Sequence, residues 1–220
     1  MSTLFFDLDG TIVNSERGIL ASARFTLARL GIDPPADEAL RRMIGPPLRV
    51  MLGTLLGAPD HVETGVRIYR EHYGREGLLA CDPYPGIGEA LARLHGAGHT
   101  LFVCTSKMES FARTIIAHNG LTGLFDGIHG AQMGGAGDDK RELLRDILAH
   151  RAIDPADAAM IGDRREDIIA GASNGLTTIG VLWGYGDAIE LTSAGATALC
   201  PNVAELHAIL EHSGAQARTS

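Results

Sequence analysis

Phe5-Phe6-Asp7-Leu8-Asp9-Gly10-Thr11 is the stretch on which the reading of this chain turns. Residues 3–8 are apolar and β-prone, so they read as a short buried strand that ends in two carboxylates with a glycine behind them. Asp is depleted in strands, and carboxylates at i and i+2 of an extended chain face the same side, where their repulsion has to be offset. A divalent cation is the usual remedy. Mg²⁺ takes hard oxygen ligands, commonly one or two carboxylates with waters and a substrate phosphate. Asp-Gly is also a hairpin signal, but the segment after Gly10 reads as helix and not as a partner strand.

The chain has 220 residues, a formal charge of -8 and 45% hydrophobic residues, with a mean hydropathy of +0.07. These values describe an ordinary globular protein able to bury a core. No apolar run approaches the roughly 18 to 20 residues of a membrane helix, and the N-terminus has no signal-peptide pattern, so the expectation is a cytoplasmic protein with no membrane partner. Cys81, Cys104 and Cys200 are widely spaced without a CxxC pair, which indicates neither a disulfide framework nor a cysteine zinc site. His95 and His99 straddle Gly96 and Gly98, which is not a helical zinc spacing. The acidic charge and the lack of a Lys/Arg cluster exclude a nucleic-acid polymer as partner.

Beyond Thr11, Ser15 is placed to cap a helix running to residue 30, with Ile19, Leu20, Ala23, Leu27 and Leu30 on one face and Gly31 as its stop. Further helical pieces follow at about 37–43, 48–56 and 60–75, separated by Gly45-Pro46-Pro47 and Gly57-Ala58-Pro59. From Pro83 onward, helices at 88–94, 108–118, 141–149, 166–173 and 204–211 alternate with strands at 100–104, 127–129, 158–161, 177–181 and 198–200. That alternation is the mark of a parallel α/β sheet, to which the first strand also belongs. Residues 1–14 and 82–220 therefore form one discontinuous α/β domain, residues 15–81 form a helical insertion, and the tail after Ser213 reads as disordered.

Ligands of an open parallel sheet sit beyond the carboxyl ends of its strands. The strand from residue 100 ends in Thr105-Ser106-Lys107, offering a hydroxyl and fresh N–H donors to a phosphate oxygen, or an ordinary N-cap. The strand from residue 158 ends in Gly162-Asp163, where Asp163 reads equally as a ligand or an N-cap, and Asp167 follows one helical turn later. Lys140 opens a helix, where a cation opposes the macrodipole unless an anion needs it; the plainer reading pairs it with Asp138 and Asp139.

Taken together, Asp7-Leu8-Asp9-Gly10-Thr11, Thr105, Lys140 and Gly162-Asp163 with Asp167 resemble the haloacid dehalogenase-like hydrolase superfamily in the order of its motifs, over nearly the whole chain. Ile44-Gly45-Pro46-Pro47-Leu48, Asn174-Gly175 and Gly180-Val181-Leu182-Trp183-Gly184-Tyr185-Gly186 look like its phosphoglycolate phosphatase-like branch, including 5'-nucleotidase-type members. The chain departs from that branch at Ser106, often Asn, at Asn14, often Asp, and at Asp139-Lys140-Arg141, which lacks the usual Lys-Pro.

The resemblance implies a Rossmann-like parallel sheet with an inserted all-helical cap and a Mg²⁺-dependent phosphatase acting on a small phosphorylated metabolite, as a monomer or homodimer. It makes Asp7 the nucleophile and Asp9 the acid and then base, with Thr105, the Ser106 N–H and Lys140 holding the phosphoryl group. Mg²⁺ is expected on Asp7, the carbonyl of Asp9 and Asp163, with Asp167 orienting Lys140 or a metal-bound water. Gly45, Pro46, Pro47 and Arg49 are the cap's candidates for specificity; Arg49 would clamp a second anion or be a solvated helix arginine. Trp183 and Tyr185 either rim the pocket or pack under the glycine-rich loop. The alternatives are a 5'-nucleotidase, a sugar-phosphate phosphatase or phosphomutase, and a silent regulatory module. A dehalogenase would have no leaving alkoxide for Asp9 to protonate, and a silent module should have lost Asp7, Asp9 or Lys140.

Overall fold

The computed structural model describes residues 2–217. Strand β1 (Thr3–Phe6) is the centre of a six-stranded parallel sheet that also contains β4 (Thr100–Met108), β5 (Gly127–Ala131), β6 (Ala158–Gly162), β7 (Thr177–Val181) and β8 (Ala198–Cys200). Its order is β5-β4-β1-β6-β7-β8, so the chain builds outward on one side of β1 and then returns to build on the other. The reversal falls between β1 and β6, where the connections leave in opposite directions and a crevice opens at the carboxyl ends.

Strand β1 is apolar throughout because both of its faces are covered. Leu4 and Phe6 join one buried cluster, with Ile87 and Leu91 of α5 (Ile87–Gly96), Ile115 of α6 (Glu109–His118) and Leu206 of α10 (Leu206–Ala217). Phe5 faces the other way, stacking on Phe102 and joining Leu144 and Leu148 of α7 (Lys140–Arg151) and Ala170 of α8 (Arg165–Ser173). The period of two thus sends neighbouring phenylalanines into two separate layers. Each is completely buried, and such burial stabilises by roughly 1.5 to 3 kcal/mol per side chain.

A third buried cluster lies wholly within the helical block, in α1 (Glu16–Arg29), α2 (Asp37–Arg41), α3 (Leu48–Leu56) and α4 (Val62–His72). Ile19, Leu20, Ala23 and Leu27 form the buried face of α1, as the spacing predicts. The block joins the sheet domain through two chain crossings, β2 (Val13–Asn14) and β3 (Asp82–Pro83), which pair antiparallel as a short ribbon. Two residues per strand are too few for any sequence pattern to reveal.

Several expectations are corrected. Strand β1 stops at Phe6, although the Asp7 N–H still donates to the Ile161 carbonyl at 2.9 Å. Ser15 does not cap α1 with its side chain; its hydroxyl bonds Asp9 instead. The long helix expected to residue 75 ends at His72 and passes into a π-turn, Tyr73–Gly77, where glycines at 74 and 77 weaken the α register. Helix α9 (Ala188–Ser193) was not expected, and α10 runs to Ala217, into the tail read as disordered; residues 218–220 of that tail lie outside the described residues. All three cysteines are buried and free. Among the described residues no helix is long and apolar enough to cross a membrane.

Candidate active site

The carboxyl ends of β1, β4 and β6 and the start of α7 converge on one buried cluster. Asp7 follows β1, and its Oδ2 lies 3.1 Å from Lys140 Nζ. Lys140 reaches on to Asp167 Oδ1 at 2.5 Å, while the other Asp167 oxygen accepts the Arg164 N–H at 3.0 Å and caps α8. Asp163 is therefore not the cap. Its Oδ1 accepts from the Thr11 hydroxyl at 3.1 Å and its Oδ2 from the Tyr185 N–H at 2.8 Å.

Lys140 is buried and belongs to this cluster, so its position at a helix N-terminus is offset by Asp7 and Asp167. The pairing with Asp138 and Asp139 does not occur. Asp139 caps α7 and bonds Arg141, and Asp138 bonds Arg49. Two glycines make room for the cluster. Gly10 has φ +84 and faces Asp163, whose carboxylate a Cβ would strike, and a Cβ at Gly184 would strike the same side chain and the Gly10 carbonyl.

Burial pushes the Asp7 carboxyl up to about 6, with Asp167 and Asp9 adding to the rise and Lys140 and Thr105 opposing it. Asp163 is raised well above the carboxylate range by burial and by its neighbours Asp167 and Asp7, against the hydrogen bonds from Tyr185 and Thr11. For Lys140 burial pulls downward, but Asp167 and Asp7 outweigh it and hold the ammonium above an ordinary lysine.

One carboxylate oxygen from each of Asp7, Asp163 and Asp167 lies within 4.8 Å of the others. Asp7 Oδ1 is buried without a hydrogen-bond partner. Three buried carboxylates against one ammonium, with an orphaned oxygen among them, fit a hard divalent cation. The carboxylate of Asp9 is not in this group.

Asp9 turns instead to Lys107, whose Nζ lies 2.7 Å from both of its oxygens, and to the Ser15 hydroxyl. Lys107 also stands over the Tyr73 ring of the helical block, 4.6 Å from its centroid. Sequence reasoning passed over Lys107, although the i, i+2 spacing of Thr105 and Lys107 on β4 repeats that of Asp7 and Asp9 just beyond the adjacent strand β1. Thr105 Oγ1 accepts the Lys107 N–H at 3.2 Å, and the Ser106 hydroxyl is buried without a partner.

A cavity of about 80 Å³ lies between the sheet and the helical block, reaching Asp7, Asp9, Thr105 and Ser106 on one wall and Gly45, Pro46 and Tyr69 on the other. Pro47 and Arg49 line the neighbouring opening. Arg49 is half-buried and not free: Nε and Nη2 bond Glu63 at 2.6 and 3.2 Å, and Nη1 bonds Asp138 at 2.6 Å. A second tie crosses from sheet domain to block, where the buried Arg164 donates to the Arg42 carbonyl at 3.3 Å. Trp183 and Tyr185 pack: Trp183 Nε1 donates to the Thr11 carbonyl and the Tyr185 hydroxyl accepts the Ser15 N–H.

This sheet order, with an acidic cluster and a lysine at its carboxyl edge, is that of a hydrolase family. The chain belongs to the haloacid dehalogenase-like hydrolases, which it matches over residues 4–181, and it is a hydrolase of the phosphatase type within them. It is 38% identical to a 5'-nucleotidase of Pseudomonas aeruginosa over 94% of this chain and 95% of that one. It is 31% identical to a phosphoglycolate phosphatase of Aquifex aeolicus over 84% and 86%, and 35% identical to the tyrosine-protein kinase PtkA of Mycobacterium tuberculosis over 94% and 72%. The crystal structure of a predicted phosphatase from Clostridium acetobutylicum superposes with a TM-score of 0.92 at 33% identity, covering 96% of this chain and 98% of that one.

Proposed function

We propose that the protein is a Mg²⁺-dependent phosphatase that hydrolyses a small phosphomonoester through a phosphorylated Asp7. The observation that supports this most is the buried Asp7, with one oxygen held by Lys140 and the other without a partner. In this reading a carboxylate oxygen of Asp7 attacks phosphorus, the phosphorus–ester oxygen bond breaks, and Asp9 gives the leaving oxygen its proton. Lys140, Thr105 and Ser106 offset the charge on the transferring oxygens. Water then attacks the phosphorus of the phosphorylated Asp7, Asp9 takes up the water's proton, the bond from phosphorus to the Asp7 oxygen breaks, and orthophosphate leaves. Mg²⁺, held by Asp7, Asp163 and the carbonyl of Asp9, would supply Lewis-acid neutralisation of the phosphoryl charge when bound. Asp167 positions Lys140.

The enclosed part of the cavity is small, about 80 Å³. That suits a leaving group of few atoms, and 2-phosphoglycolate is the first such substrate to expect. A nucleoside 5'-monophosphate is the second reading, favoured by the aromatic wall of Tyr69, Tyr73 and Phe111, and it requires the block to stand further from the sheet. The test is release of phosphate from 2-phosphoglycolate, ethyl phosphate, p-nitrophenyl phosphate, nucleoside 5'-monophosphates and a sugar phosphate, with and without Mg²⁺. Mg²⁺-dependent release from the smallest esters is expected. No release from any ester, or isomerisation of the sugar phosphate in its place, would refute the reading.

A further inference from the structure

The charged side chains that line the cavity are Asp7, Asp9, Asp138, Lys107 and Arg70. Four of the five are spoken for: Asp7 by Lys140, Asp9 and Lys107 by each other, and Asp138 by Arg49. Arg70 is different. It is half-buried near the end of α4, and the contact its guanidinium makes is Nη1 to the Met133 sulfur at 3.9 Å, with no carboxylate bonded to it among the described residues. A last-turn cation does suit the helix macrodipole, which accounts for a basic residue there but not for a guanidinium brought to the cavity wall.

An arginine carries five donors in a fixed fork that matches a carboxylate or phosphate edge, and a partly desolvated one without an anion is left with a cost. Burial and the nearby Arg49 charge both act against the Arg70 cation, which Asp138 and Glu63 relieve only from a distance. The other side chains that line the cavity, Met51, Tyr69 and Tyr73 among them, offer no charge to pair with it.

We propose that Arg70 is the residue that selects the substrate, by receiving a second anionic group, a carboxylate or a phosphate, carried on the leaving group of the phosphomonoester. This rests on the phosphatase reading above and deepens it: the sheet domain transfers the phosphoryl group, and the α4 fork reads what is attached to it. Arg49, the cap residue read from the sequence as either the clamp for such an anion or a solvated helix arginine, is withheld by its bonds to Glu63 and Asp138.

The experiment compares kcat/KM for 2-phosphoglycolate with that for ethyl phosphate, a partner of similar size without the carboxylate, in the parent protein, Arg70→Met and Arg70→Lys. The parent should prefer 2-phosphoglycolate. Arg70→Met should lower the ratio roughly 10- to 100-fold, the worth of a charge-assisted hydrogen-bonded pair, mainly through KM. Arg70→Lys, which keeps the charge and loses the fork, should recover part of that loss, and thermal melting shows whether each variant is folded. A parent without preference for 2-phosphoglycolate, a ratio unchanged in a folded Arg70→Met, or an equal loss on both esters would overturn the assignment while leaving the phosphatase reading standing. A parent that hydrolyses neither of these two esters would overturn the assignment as well, and one that hydrolyses no phosphomonoester at all would remove the phosphatase reading with it.

Discussion

Lys107 Nζ stands 2.7 Å from each carboxylate oxygen of Asp9, tying β4 to the segment that follows β1. With both oxygens taken, Asp9 can serve a leaving group only if one of these bonds gives way, so Lys107 is a positioning residue for the acid. Asp9→Asn should lower kcat by roughly 10²- to 10⁴-fold for ethyl phosphate and much less for p-nitrophenyl phosphate, whose leaving group needs no proton. Lys107→Met should show the same leaving-group pattern at smaller amplitude. In the double variant the loss should match Asp9→Asn alone, since Lys107 acts through Asp9. Additive losses, or equal losses on both esters, would detach Lys107 from the acid.

The acidic cluster predicts how stability depends on pH and metal. Asp7 rises from 3.8 to about 6 on folding, so between those values the folded state keeps a proton that the unfolded state has lost. Stability of the metal-free protein therefore falls as pH rises through that window and stays low above it, by roughly 3 kcal/mol for this group at about 1.4 kcal/mol per pH unit. Asp163 acts in the same direction. Because the ligands must be deprotonated, Mg²⁺ should raise Tm more at about pH 7.5 than at about pH 5. Thermal melts across pH, with and without Mg²⁺, check this; a Tm indifferent to Mg²⁺ at both values would contradict it.

Asp163 has both oxygens fixed by donors, Thr11 and the Tyr185 N–H, and still faces Asp7. Asp163→Asn should abolish the Mg²⁺-dependent gain in Tm and raise the Mg²⁺ concentration needed for half-maximal activity, whereas a residue that only packs would leave the Mg²⁺ titration in place. Coincident titrations for variant and parent would take Asp163 out of the metal set.

Arg49 spans from α3 to Glu63 of α4 and across the cleft to Asp138. Arg49→Met should weaken that tie and raise KM about fivefold for every ester alike, the equivalent of roughly 1 kcal/mol for a partly exposed pair. Added salt should reproduce part of the effect in the parent protein. A loss confined to 2-phosphoglycolate would make Arg49 the receptor of the second anion.

The sheet and its acidic edge were readable because each functional stretch stands where an apolar run stops: Asp7 after β1, Thr105 near the end of β4, Asp163 after β6. The helical face of α1 was readable for the same reason, as a local period. What stayed hidden depends on which distant side chains meet. The pairs Arg49–Asp138 and Lys107–Asp9 are separated by 89 and 98 residues, and a lysine or arginine in a sequence carries no mark of the carboxylate it will find. Arg70 was hidden for the opposite reason: its significance lies in the partner it lacks, which only the packing of α4 over the cavity makes visible.

During turnover Asp7 itself should carry the phosphoryl group. The direct measurement is acid quench of the parent protein during turnover of a ³²P-labelled ester, followed by mapping of the labelled peptide. Label is expected on the peptide containing Asp7, chased by unlabelled ester at a rate no slower than kcat, with neither label nor turnover above background in Asp7→Asn. Full Mg²⁺-dependent turnover by Asp7→Asn, or label that maps to another residue, would contradict it.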